Sequence, residues 1–139
     1  MQFAIIAKGA AGPPDGLLYI LGGGINSFWV GDVPTMFKGS LVIRLLADRS
    51  EVGRSQTLDV QIEDAEGDSI LSTPIHVDVT PQMPPHLPPG WPIAVNLNVD
   101  LTGLRLPRLG QYSIELLVNG HHLGSEPFQV IRGPSAAAN

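Results

Sequence analysis

The chain contains no cysteine and no long apolar run, and each absence excludes a class of protein. Without cysteine there is no disulfide and no thiolate metal site, which is usual in a reducing compartment, so we expect a cytoplasmic location. The longest apolar stretches, such as 17–21 and 41–47, are far shorter than the roughly 20 residues that cross a bilayer. The first residues also lack the pattern of a secretory signal. We therefore expect no signal sequence and no membrane association.

Charged residues are also scarce, and basic residues are the scarcer kind. Eight Lys and Arg stand against thirteen Asp and Glu, which gives a net charge of −5. The eight basic residues are scattered along the chain, so a phosphate backbone would be repelled and nucleic acid is not an expected partner. Hydrophobic residues nevertheless make up 43% of the chain, so we expect a folded core and not a disordered acidic chain.

Glycine and proline, in contrast, are abundant, with 16 and 13 of the 139 residues. They divide the chain into short segments, and no window has apolar residues at helical spacing. Segments such as 55–63 and 93–101 instead alternate between apolar and polar residues. This pattern predicts an all-β fold, an antiparallel two-sheet sandwich of seven to eight strands. We expect one domain over residues 1–132 and a flexible tail at 133–139.

The last quarter of the chain has the clearest β-hairpin pattern. Residues 112–118 have apolar side chains at every second position. Asn119-Gly120 then supplies the left-handed backbone angles of a two-residue turn, and a return strand ends at residues 127–130. We therefore predict that this hairpin closes the sandwich.

The same region carries a resemblance to known proteins. The run LPRLGQYSIELLVNGHHLGSEPFQV resembles the last hairpin of immunoglobulin-like and fibronectin-like sandwiches, where Gly-x-Tyr begins a strand and Pro-Phe-x-Val closes the sheet. Together with DGLLYILGGGINSF and LDVQIEDAEGDSIL, it resembles a family of small uncharacterised bacterial sandwich proteins, mainly from actinobacteria and similar soil organisms. The resemblance implies an immunoglobulin-like fold and provides no activity, cofactor or site residue.

Four sequence features resemble known catalytic or metal sites, and none fits. Adjacent strand residues such as His121 and His122 point to opposite faces and cannot both reach one ion. The acidic turn 63–68 lacks EF-hand spacing, and the glycines 22–24 match no phosphate-binding fingerprint. No serine lies in a Gly-x-Ser-x-Gly elbow. We therefore predict no catalytic residue, no metal and no cofactor, and treat an enzyme built from dispersed carboxylates and histidines as the third hypothesis.

The two tryptophans are the strongest candidates for binding. Trp29 lies near the glycine-rich bend, and Trp91 lies in segment 81–92, which contains six prolines and is predicted to be rigid, extended surface chain. Exposed tryptophans anchor protein partners or sugars, whereas buried ones would plug the ends of the sandwich. We name Trp29, Pro85, His86 and Trp91 as candidate partner-binding or ligand-binding residues.

These observations favour a non-enzymatic protein that acts by protein contact, as a subunit or adaptor in an assembly. Strand 41–47 is apolar on both faces, which indicates self-association through an apolar sheet face or a bound protein partner. The alternative is a carbohydrate-binding or small-ligand-binding sandwich that uses Trp29 or Trp91 as a stacking platform.

Overall fold

The computed structural model describes residues 2–11 and 16–133, and these residues form β-structure with one short 3₁₀ turn at Arg49–Glu51. The strands in chain order are β1 (Phe3–Ala11), β2 (Tyr19–Gly23), β3 (Ser27–Val30), β4 (Thr35–Met36), β5 (Ser40–Ala47), β6 (Gln56–Asp64), β7 (Ile75–Val79), β8 (Ile93–Asp100), β9 (Arg105–Leu106), β10 (Gly110–Val118) and β11 (His121–Arg132). The all-β prediction is confirmed. Within these ranges no helix is long and apolar enough to cross a membrane. Most of the expected turn at 12–16 and all of the expected tail beyond Gly133 lie outside the described residues.

The strands form three sheets. One has four strands in the order β2-β1-β5-β8, one has five in the order β3-β11-β10-β6-β7, and β4 pairs with β9 in a small ribbon. The predicted counts of two sheets and seven to eight strands were wrong, since eleven strands are present in the described ranges. The sequence did not indicate β4 and β9, because strands of two residues are too short to alternate. β7 begins directly after Pro74, which cannot donate to a strand ladder.

The two large sheets share one buried core. Apolar side chains of β1, β5 and β8 meet those of β6, β10 and β11 in a single cluster. Fully buried members include Ile6, Leu41, Ile43, Leu58, Val60, Ile62, Ile114, Leu116 and Val130. Burial of each such side chain stabilises the fold by about 1.5–3 kcal/mol. The period-two pattern of β6 and β10 identified their inward faces correctly.

The β1–β2 hairpin lies across the outer face of the four-stranded sheet. Only residues 3–7 of β1 pair with β5, and the rest of the strand pairs with β2 alone. The side-chain amides of Asn96 and Asn98 on β8 donate to the carbonyl oxygens of Gly16 and Ala10, at 3.1 and 2.9 Å. Because β5 separates β1 from β8 in the sheet, these bonds require the hairpin to fold back over β5.

This hairpin explains why β5 is apolar on both faces. Leu41 and Ile43 point into the core, and Val42, on the face that the hairpin crosses, is also fully buried. β5 is a central strand, paired on both sides with β1 and β8. The expectation of an exposed apolar face on this strand was wrong at Val42. The β1–β2 hairpin of the same chain covers this side chain. Leu46, near the end of β5, is the exposed apolar side chain of the strand.

Tyr112 holds the beginning of β10. Its hydroxyl donates to the carbonyl oxygen of Arg108 at 2.6 Å and accepts from the backbone N–H of the same residue at 3.0 Å. The ring is buried and stacks on Phe128, with 5.2 Å between the ring centroids. Phe37 packs edge-on against the other side of this stack, 5.4 Å from Phe128. The Tyr112 side chain therefore joins the loop before β10 to the aromatic part of the core.

The turn between β10 and β11 has the predicted form. Asn119 and Gly120 have φ angles of 50° and 82°, the left-handed conformation that a two-residue hairpin turn requires. The side chain of Asn119 also accepts from the backbone N–H of Thr57 at 3.0 Å, and its backbone N–H donates to the carbonyl oxygen of Thr57 at 2.9 Å. The turn is thereby tied to the beginning of the neighbouring strand β6.

We expect Tyr112→Phe to lower the free energy of unfolding by about 1–3 kcal/mol, because it leaves two backbone groups of Arg108 without their partner while the aromatic stack is retained. Urea denaturation of the two proteins measures the difference. Ser50→Ala removes a hydroxyl from an exposed side chain on the 3₁₀ turn and should change stability by no more than about 0.5 kcal/mol. Equal losses in both variants would contradict a special role for the Tyr112 hydroxyl.

Candidate functional site

The four candidate binding residues are divided between two ends of the molecule. Trp29 in β3 is the cross-strand partner of Ile131 near the end of β11, beside the first residue of β10. Trp91 lies two residues before Ile93, the first residue of β8, which pairs with Ala47. Ala47 and Val118, the last residue of β10, line the same cavity, so Trp91 lies at the other end of β10 from Trp29. Pro85 and His86 belong to the same segment as Trp91 and not to the surroundings of Trp29.

Segment 81–92 is held in place by the 3₁₀ turn. The guanidinium of Arg49 donates to the carbonyl oxygen of Pro88 at 2.8 Å and contacts the sulfur of Met83 at 3.7 Å. The backbone N–H of Trp91 donates to the same carbonyl oxygen at 3.2 Å. The segment contains no strand, as its prolines predicted, but the prediction of extended chain was wrong. It turns at residues 85–86 and 89–90, where His86 and Gly90 have φ angles of 62° and 82°. Its conformation is therefore determined by contacts with its own domain.

Both tryptophan side chains are largely exposed. Trp91 exposes 61% of its surface and Trp29 exposes 52%, so neither plugs an end of the core. Trp91 borders a shallow depression of about 250 Å³, formed with Ala47, Asp48 and Arg49 of the β5 end and 3₁₀ turn. The depression beside the exposed ring thus combines apolar residues with two charged ones, Asp48 and Arg49.

A more enclosed apolar cavity lies next to this depression. It has a volume of about 210 Å³ and opens between the two large sheets, which contribute Leu45 and Val95 on one side and Leu58 and Val118 on the other. Ala47 lines both the cavity and the depression, so the two are adjacent. We call this combined surface, with its rim residues Leu46, Pro81 and Leu123, the Trp91 end.

The cavity is lined mainly by apolar residues. Glu51 and Gln56 are its polar lining residues. The carboxylate of Glu51 accepts from the backbone N–H of Asp48 at 2.9 Å and closes the 3₁₀ turn. The remaining lining side chains are apolar, so the cavity fits an apolar group of moderate size.

The outer face of β10 and β11 carries a polar cluster that sequence reasoning missed. His122 Nε2 lies 2.9 Å from the Glu115 carboxylate and 3.3 Å from the Ser125 hydroxyl, which itself bonds to Glu115. In a serine-nucleophile relay the acid and the serine contact different nitrogens of the histidine. Here both approach the same nitrogen, on an open sheet face. The geometry is that of a surface hydrogen-bond network and not of a nucleophile relay.

Two carboxyl groups near this cluster have pKa values shifted in opposite directions. Partial burial by itself raises the pKa of Glu115, but hydrogen bonds from His122 and Ser125, with the charge of His122, outweigh it and hold the pKa below its ordinary value. Glu126 lies on the same strand as Phe128 and in phase with it, so its carboxyl group points toward the core side. Burial raises the pKa of Glu126.

The acidic turn after β6 is explained by its own hydrogen bonds. Asp64, Glu66 and Asp68 are, within the described ranges, the one group of three carboxylates or imidazoles close enough to hold an ion, with candidate ligand atoms within 4.8 Å of one another. Asp64 accepts from the backbone N–H groups of Glu66 and Asp68, each at 3.0 Å, and pairs with Arg108. These are the contacts of a tight turn. His122, from the histidine pair, is bonded to Glu115.

Sequence reasoning found Trp91 but not its surroundings. The proline content of segment 81–92 was the signal that placed Trp91 on the surface. Nothing in the sequence indicated that Arg49 would hold the segment or that Leu123, on a distant strand, would border the same cavity. These contacts join residues far apart in the chain, and spacing patterns report only neighbours along one element.

Comparisons with other proteins give one match. A protein-family model that describes a family of unknown function matches residues 2–131, nearly the whole chain. The comparisons with curated proteins and with solved structures find no match. The family match therefore covers the core, the Trp91 end and the β1–β2 hairpin, and it assigns no activity to any of them.

We expect Glu115→Gln to make the protein less stable at pH 7 and to have a smaller effect in acid. The folded state lowers the pKa of Glu115, so the ionised carboxylate contributes stability above its ordinary pKa of about 4.3, and this contribution is lost as the pH falls through the folded value. Urea denaturation of both proteins between pH 7 and pH 3 measures the effect.

Glu126→Gln is the matched control and should behave in the opposite way. Because burial raises the pKa of Glu126, its ionised form reduces stability at neutral pH, and the glutamine variant should gain stability relative to the wild type as the pH rises. If Glu115→Gln is as stable as the wild type at pH 7, the network around Glu115 does not stabilise the fold.

Proposed function

The chain belongs to this family of unknown function, DUF6941, and because the family assigns no activity we propose from the geometry that the protein binds another protein through the Trp91 end. The observation that carries this proposal is the exposed Trp91 side chain on a segment that the domain itself holds in place. Proline and the Arg49 contacts restrict the segment before a partner arrives, so binding would cost little additional ordering entropy. Tryptophans in such positions are frequent anchors of protein interfaces.

The cavity beside Trp91 supports a specific mode of binding. Its volume of about 210 Å³ and its apolar lining fit one large apolar side chain of a partner. The exposed apolar side chains of Leu46 and Leu123 border it, and they would be covered by the same contact. In this arrangement the partner inserts an apolar residue between the sheets while Trp91 packs against the surface around it. Pro85 and His86 belong to the same segment and are the outer part of the proposed contact.

We also propose that the two large sheets form an immunoglobulin-like sandwich. In that fold a tyrosine near the beginning of a strand bonds to the backbone a few residues upstream and fixes the corner. The Tyr112 hydroxyl makes this contact with Arg108, and both sheets contribute to one core. A cytoplasmic location belongs to the same proposal and is supported by the absence of cysteine.

A second function is supported by the depression at Trp91. An aromatic face beside Asp48 and Arg49 combines a stacking platform with hydrogen-bonding groups, which is the chemistry that recognises a sugar ring. The surface is shallow, so such binding would be weak and would not use the cavity. This second function therefore depends on Asp48 as well as on Trp91.

We expect Trp91→Ala to abolish capture of a defined partner while changing the melting temperature by no more than about 2 °C, because the side chain is exposed. A photo-crosslinking residue in place of Leu123, on the rim of the cavity, identifies the partner in a lysate of the organism that encodes the protein. The same crosslinking variant with Trp91→Ala should lose the product.

Trp29→Ala is the matched control, since it removes an exposed tryptophan from the opposite end and should leave the crosslink unchanged. Loss of the crosslink in both variants, or a large loss of stability in Trp91→Ala, would contradict the proposal. Glycan-array binding that disappears with both Trp91→Ala and Asp48→Ala would support the second function instead.

A further inference from the structure

The outer edge of β8 is a row of backbone hydrogen-bonding groups without partners. β8 is the last strand of the four-stranded sheet, and it pairs with β5 over its whole length without a bulge. In an antiparallel ladder every second residue directs its N–H and C=O toward the neighbouring strand, and the residues between them direct theirs away from it. Among the residues that the structure describes, none outside β5 hydrogen-bonds to the backbone of β8. Every second residue of β8 therefore has a free donor and a free acceptor at the edge of the sheet.

β8 differs from the other end strands of the two large sheets in length. It has 8 residues, whereas β2 and β7 have 5 each and β3 has 4. Proteins prevent a further strand from pairing at an end strand by keeping it short or by placing proline, charge or a bulge in it. β2 and β3 are short, and β7 is short, follows Pro74 and contains Asp78. β8 is long and regular, contains no proline, and its one charged residue, Asp100, is its last.

The core is incompletely covered on the side at which β8 lies. Val95 of β8 and Val79 of β7 both line the apolar cavity, so the end strands of the two large sheets lie on the same side of the core. Leu97 on β8 and Val77 on β7 pack against the core cluster but are only partly buried, whereas Leu41 on the neighbouring strand β5 is fully buried. A strand added to β8 would place side chains beside Val95 and Leu97 and complete the cover on this side.

These features define the chemistry of the segment that fits. The free backbone groups require an extended chain, and all three strand pairs of this sheet are antiparallel. Residues directly opposite each other in an antiparallel pair have their side chains on the same face. Side chains opposite Val95 and Leu97 therefore face the core and need to be apolar. The side chain opposite Asp100 lies on the outer face, where a basic residue complements the carboxylate.

We infer that the partner binds with an extended segment that pairs with β8 as an additional antiparallel strand. In such contacts the main-chain hydrogen bonds provide affinity and alternate side chains provide specificity. Counted from a basic residue opposite Asp100, the fourth and sixth residues of the segment are apolar, because they lie opposite Leu97 and Val95. The sixth enters the apolar cavity, and the segment ends beside Trp91. The inference rests on the proposed function in this last respect, since it describes the partner of the Trp91 end.

Peptide display on the full chain tests this inference. A library of short random peptides should yield binders with the spacing of one basic and two apolar residues given above. One such peptide is then synthesised with N-methyl groups on either set of alternate backbone nitrogens. Methylation of the set that faces β8 removes the ladder hydrogen bonds and should weaken binding about 30-fold or more. The other set faces solvent and is the matched control, with an expected change of about threefold or less.

Amide hydrogen exchange of the full chain locates the contact. The outward amides of β8 should exchange rapidly in the free protein and at least about tenfold more slowly with the peptide bound. The amides of β2 and β3, which are also end strands without charge, should not change.

The charge at the end of β8 provides a second variant with its own control. Asp100→Asn keeps an acceptor for the backbone N–H of Thr102 and removes the charge, so it should weaken binding about threefold. Asp78→Asn likewise keeps an acceptor for the Thr57 hydroxyl, but it removes a charge from the outer face of the other large sheet and should leave binding unchanged.

Three results overturn the inference: no peptide is enriched, binding survives both methylated sets, or the β8 amides stay unprotected. A wild type that is a dimer with its β8 amides protected before any peptide is added also overturns it, because a second copy then occupies the edge. A peptide that loses binding in Trp91→Ala but is insensitive to methylation keeps the proposed function and removes strand addition. A peptide that protects β8 and binds Trp91→Ala equally well supports strand addition and contradicts the role of Trp91.

Discussion

The apolar layer between the two large sheets determines where the remaining parts of the protein lie. Inward side chains such as Leu41 and Ile114 meet across it, and Tyr112 closes one end by joining the aromatic stack to the loop before β10. At the other end the layer is open, and the opening is the apolar cavity beside Ala47. The proposed partner-binding surface is thus a consequence of incomplete closure of the core, with segment 81–92 as its rim.

The outer faces of the two large sheets differ in polarity. The five-stranded sheet has a polar outer face, where Glu115 is the centre of a hydrogen-bond network with His122 and Ser125. The four-stranded sheet has a mixed outer face, with Val42 beside Arg44, and the β1–β2 hairpin covers part of it through bonds from Asn96 and Asn98. The hairpin in turn has exposed apolar side chains of its own, with Leu21 the most exposed of them.

The two functions proposed at the Trp91 end use different physical features. A restrained segment and a cavity fit one side chain of another protein, whereas a sugar ring would use the exposed Trp91 ring and its charged neighbours Asp48 and Arg49.

The sequence by itself determined the features that depend on neighbours along one strand. Alternation in β6 and β10, the left-handed turn at Asn119-Gly120 and the absence of a strand from segment 81–92 all follow from local preferences, and the structure has them. Only the tertiary structure decided what covers Val42, which strands border the cavity and where Trp29 and Trp91 lie relative to each other. These depend on contacts between residues far apart in the chain, and for such contacts neither composition nor periodicity specifies the partner.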